Sequence, residues 1–100
     1  MKILQVVPKA DTDEPLKKLL KEKERSLRGT TTTLVREREG RWRHKKYPGW
    51  ITWDETRGGI LVAEIRSKVE GADWQLLRSF VGYLDRHFGD QIESITITYR

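Results

Sequence analysis

Three breaks cut a β-rich stretch, residues 30–67, into four short pieces, and this feature most limits what the chain can become. The breaks are Glu39-Gly40, Pro48-Gly49 and the loop Asp54-Glu55-Thr56-Arg57-Gly58-Gly59. The pieces between them are rich in β-branched and aromatic residues (Thr30 to Val35, Trp42 to Tyr47, Trp50 to Trp53, Ile60 to Ile65). Gly, Pro and Asp supply turn geometry, and extended segments joined by such short turns pair as an antiparallel meander.

The flanks add one strand and one helix on each side. Residues 2–7 are mostly aliphatic on both parities and stop at Pro8, the pattern of a central strand. Acids at residues 11–14 and Pro15 open a helix whose Leu16, Leu19, Leu20 and Leu27 recur at helical spacing, with Gly29 as its C-cap. A second helix starts at an Asp73 N-cap and closes at Gly89. Its apolar arc is wide: Trp74, Leu77, Val81, Leu84 and Phe88 form one stripe, and Leu76, Phe80, Tyr83 and His87 an adjacent one. Residues 94–99 then alternate as a last strand, with Ile95, Ile97 and Tyr99 on one side.

The order β-α-β-meander-α-β predicts a single α+β domain over residues 1–100. It is a two-layer sandwich in which a mostly antiparallel sheet carries two helices on one face, a ferredoxin-like plan with an extended central meander. One hundred residues suffice for one small core. No apolar run approaches the ~20 residues of a membrane span, so no membrane partner is expected. The absence of cysteine excludes a disulfide scaffold, a thiolate zinc site and a thiol nucleophile, and makes a reducing cytoplasm the expected address.

Charge is concentrated. The chain carries a net +5, and residues 36–46 alone hold six basic and two acidic side chains, a local +4. A localised positive field attracts anions, nucleic acid foremost. With Glu39-Gly40 as a two-residue hairpin turn, Arg38 would oppose Arg41, Arg36 would oppose Arg43, and Leu34 would oppose Lys45. Five cations would then share one side of the hairpin. Like charges directly opposed weaken strand pairing, so such an arrangement suggests an anion to meet. Trp42, Tyr47, Trp50 and Trp53 lie beside the patch, and rings of this kind stack on bases while Arg and Lys bind phosphate.

The expected function is therefore non-catalytic binding of RNA or single-stranded DNA. Arg36, Arg38, Arg41, Arg43, Lys45 and Lys46 would take phosphates, and Tyr47 and Trp50 would stack. The open face of a helix-backed sheet is where RNA-recognition modules of this plan bind, although their RNP signature is missing from this sequence. Alternating signs at residues 36–39 also suit a solvated edge that resists aggregation. A rival expectation is a protein partner or homodimer, with Leu76, Phe80 and Tyr83 of the wide second helix as the interface.

Catalytic and metal chemistry finds little footing. His44 and His87 are the only histidines and have no ligand spacing, so no metal or other cofactor is implied. Gly58-Gly59 lacks the strand-to-helix context of a phosphate loop. Asp54 and Glu55 sit in a polar loop without the desolvation that shifts a pKa. The threonines at 30–33 have no identifiable base, and strand propensity accounts for them.

Overall fold

The computed structural model describes residues 1–24 and 33–100. Six strands form one sheet: β1 (Lys2–Pro8), β2 (Leu34–Arg38), β3 (Arg41–His44), β4 (Trp50–Glu55), β5 (Leu61–Arg66) and β6 (Ile92–Tyr99). Helix α1 (Leu16–Glu24) follows β1, and α2 (Ala72–Phe88) joins β5 to β6 through a 3-10 turn at Gly89–Gln91. The order across the sheet is β2-β3-β4-β5-β1-β6 and every pairing is antiparallel. The chain is thus α+β, as expected. The expected Gly29 cap, the Leu27 position and the first residues of the Thr30 strand lie outside the described residues.

Alternation along the strands divides the sheet into a covered and an open face. Leu4 and Val6, Ile51 and Trp53, and Leu61, Ala63 and Ile65 are buried on the covered side. Both helices lie there, because buried Trp42 of β3 meets Glu24 of α1 as well as Phe80 and Tyr83 of α2. The Trp42 ring stands edge-on to Trp53, Phe80 and Tyr83 at centroid separations of 5.2–5.8 Å, the T-shaped geometry that aromatic quadrupoles favour.

The wide arc of α2 is explained inside the chain. Leu76 and Phe80 are fully buried and Tyr83 is 4% exposed, so the three residues expected at a partner interface belong to the core. Asp73 also departs from expectation. The helix is capped by Gly71 in the left-handed region (φ 84°), and Asp73 sits in the first turn with its carboxylate 2.8 Å from Lys2 Nζ. That ammonium holds the Asp73 carboxyl below the usual carboxylate range.

Candidate nucleic-acid interface

The basic hairpin is built on β2 and β3, and its register differs from a plain two-residue hairpin. Arg38 does oppose Arg41, but Arg36 opposes Trp42, Val35 opposes Arg43 and Leu34 opposes His44. The shift falls between Arg36 and Arg38, where Glu37 is an extra residue in the strand, a β-bulge. Burial supplies the reason. An unbroken ladder from the Glu39-Gly40 turn would turn Leu34 to the open face and Glu37 under the helices; the bulge buries Leu34 instead.

The five cations are consequently split between two faces. Arg36 projects on the covered side, and its Nε donates to Glu24 Oε1 at 2.7 Å. Glu24, 3% exposed, also accepts from Gly40 N at 3.1 Å and from Trp42 Nε1 at 2.6 Å. Arg36 therefore ties α1 to the hairpin and is removed from the expected phosphate-binding set. Arg38, Arg41 and Arg43 share the open face. Lys45 follows in the ladder, its N–H donating to Thr33 O at 2.9 Å, and Lys46 lies in the exposed loop after β3.

The two expected stacking rings are separated as well. Trp50 begins β4 on the open face, half-buried, with the Arg41 guanidinium 4.8 Å over its ring. Tyr47 packs against the core beside His44, at 4.7 Å between ring centroids. His44 Nδ1 accepts from the backbone N–H groups of Lys46 (2.9 Å) and Tyr47 (3.4 Å), folding this loop back on itself. Burial, with Lys46 nearby, pushes the His44 pKa down and favours the neutral ring that this acceptor role requires.

Two open-face groups escape a reading of the hairpin alone. Glu37 places one carboxylate oxygen 2.9 Å from Arg41 Nε and the other 4.0 Å from Arg43 Nε. Arg66 of β5 opposes Trp50 across the sheet and is held at 3.1 Å by Glu64. The resulting surface runs Arg43, Arg41, Trp50, Arg66 over three neighbouring strands, with a carboxylate interleaved at either end. Below it a shallow concavity of about 510 Å³ is lined by Arg38, Arg41, Thr52, Asp54, Val62 and Glu64 among others.

Asp54 is engaged by Lys17 at 2.8 Å, and that hydrogen bond holds its carboxyl below the usual range, the reverse of what a proton donor needs. Among the described residues no group of three or more His, Cys, Asp or Glu side chains is placed to share a metal ion, and no helix is long and apolar enough to cross a membrane. No protein-family model, curated protein or solved structure matches the chain.

Proposed function

We propose that the chain is a non-catalytic module that binds single-stranded nucleic acid, RNA or DNA, on the open face of its sheet. The observation that carries this reading is Trp50 lying under the Arg41 guanidinium on a sheet face that neither helix covers. A base displacing or sandwiching that guanidinium would gain a stacking platform of a kind worth ~1–3 kcal/mol. Arg38, Arg41, Arg43, Lys45 and Lys46 would neutralise the phosphates. In this reading β4, β5, β1 and β6 with the two helices make up the ferredoxin-like plan, and the β2–β3 hairpin is an addition at the β4 edge that widens the platform with charge.

The test is a titration with a short mixed-sequence RNA, followed by amide shifts and tryptophan fluorescence at two salt concentrations. Shifts should cluster at residues 38–52, and log affinity should fall with log salt by roughly 0.7 per phosphate contacted. Arg41→Glu with Arg43→Glu should abolish binding and leave the fold intact, while Glu37→Gln should tighten it by freeing both guanidiniums. Absence of shifts at low salt, or binding indifferent to salt, would overturn the reading.

A further inference from the structure

The sheet has two edges, and they are defended very differently. Edge strand β2 is five residues long, bulged, and carries Arg36, Glu37 and Arg38, three devices that discourage edge pairing. The opposite edge, β6, is the longest of the described strands at eight residues, and from Ser94 to Tyr99 it bears no charge, proline or glycine. Among the described residues nothing pairs with its outer side. Beside it runs an apolar groove of about 650 Å³ between β6 and α2, lined chiefly by Trp74, Leu77, Val81, Ile92, Ile95 and Ile97. Trp74 is 42% exposed there, and Tyr99 on the strand itself is 66% exposed.

We infer that β6 pairs antiparallel with β6 of a second copy of this chain, about a two-fold axis normal to the sheet at Thr96. The strand is complementary to itself about that residue. Ile95 would oppose Ile97 of the second copy on the groove side, and Ser94 would oppose its Thr98 on the open side, with Thr96 against Thr96. Apolar then meets apolar and hydroxyl meets hydroxyl, both favourable cross-strand pairs. The strand's one carboxylate, Glu93, would face Tyr99 of the second copy at both ends, a phenol rather than an aliphatic side chain. Centring at Ile95 would set Glu93 against Ile97, and centring at Ile97 would leave Glu93 without a partner. An isologous contact of this kind closes on itself and extends the sheet to twelve strands with all helices on one side. This inference concerns the edge remote from the basic hairpin and does not depend on nucleic-acid binding.

Light scattering coupled to gel filtration should give twice the 11.8 kDa of one chain. Thr96 is exposed, so Thr96→Lys should leave the circular dichroism spectrum unchanged while setting two ammonium groups face to face and yielding monomer. The natural absence of cysteine allows the axis itself to be located. Thr96→Cys should cross-link to itself on oxidation, because directly opposed strand residues fall within disulfide reach. Ser94→Cys should not cross-link to itself but should cross-link to Thr98→Cys when the two variants are mixed. A single-chain mass at every attainable concentration overturns the inference, as does a dimer in which Ser94→Cys cross-links to itself and Thr96→Cys does not.

Discussion

Trp42 Nε1 and Glu24 Oε2 are joined by a 2.6 Å hydrogen bond inside the core, between a strand and a helix eighteen residues apart in sequence. The carboxylate is also the acceptor for the Arg36 guanidinium and for the backbone N–H of the Gly40 turn. One nearly buried oxygen pair thus holds the end of α1, the turn and the central tryptophan together. Removing it strands a buried indole N–H and an unneutralised guanidinium. Glu24→Ala should therefore cost about 3–5 kcal/mol in denaturant unfolding, and Glu24→Gln distinctly less. A cost under ~1 kcal/mol for Glu24→Ala would show that these bonds are not what holds the hairpin to the helix.

The Tyr83 hydroxyl behaves in the opposite way. It is buried with no hydrogen-bond partner among the described residues, and burial with Glu24 nearby pushes its pKa up to about 12. Deleting an unsatisfied polar atom costs nothing in hydrogen bonding and spares its desolvation. Tyr83→Phe should be neutral or stabilising by up to ~1 kcal/mol in thermal or chemical unfolding, and clear destabilisation would reveal a partner for the hydroxyl.

Acid should weaken the fold through its histidines. Burial is the leading cause that lowers both His44 and His87 below their ordinary value, so the unfolded chain takes up protons more readily than the folded one. Stability is then fully present above the unfolded pKa and declines as pH falls from about 6.5 toward the depressed folded values. His44→Asn keeps an acceptor near the Nδ1 position and cannot be protonated. It should flatten part of the decline measured by urea unfolding between about pH 7.5 and 5.5, with His87 responsible for the rest. An unaltered slope would remove His44 as a contributor.

Among the described glycines, Gly49 is the tightest backbone passage. Its φ is 122°, and a Cβ there would stand 2.2 Å from Arg66 O and 2.7 Å from Leu76 Cδ1. Gly49→Ala should cost on the order of 3–4 kcal/mol, because the nearest obstacle is backbone that cannot step aside. Gly71→Ala is the informative control: its φ is also positive (84°), yet the added methyl meets open space, so only conformational strain of roughly 1–2 kcal/mol is expected.

Arg36 separates charge from placement. Although it belongs to the same +4 segment as Arg41 and Arg43, it faces the helices. Arg36→Gln should lower stability through Glu24 and leave the salt dependence of the proposed RNA binding unchanged, whereas Arg43→Gln should reduce that dependence by roughly one phosphate's worth. Equal binding losses in the two variants would contradict the two-faced hairpin.

Where the elements lie was legible because turn residues and periodicity are local signals. Pro8, Glu39-Gly40, Pro48-Gly49 and Gly58-Gly59 mark chain reversals or strand ends whatever the tertiary context. Opposite faces for Trp50 and Trp53 likewise follow from alternation alone. Register was not legible. Nothing in Arg36-Glu37-Arg38 marks a bulge; it arises because Leu34 must be buried while the turn stays at Gly40, a compromise visible only across two strands. The role of α2 failed for a related reason. Its arc of apolar residues reads equally as core or interface until Trp42 is found beneath it, drawing Phe80 and Tyr83 inward. Glu24 looked like one more acid on a charged helix, since its three donors come from distant residues.

The bulge also gives the open face its own competitor. Glu37 is an anion tethered beside Arg41 and Arg43 at an effective concentration that a free monovalent ion seldom matches. Displacing it is an exchange rather than the filling of a vacancy. A lone phosphate or chloride would have little to offer in that exchange, while the proposed nucleic-acid strand, a chain of linked charges, would replace the carboxylate and engage Arg38 and Lys46 in the same event. Under the proposed binding, one extra residue in an edge strand would act as a filter on valence, favouring polymers over their monomers.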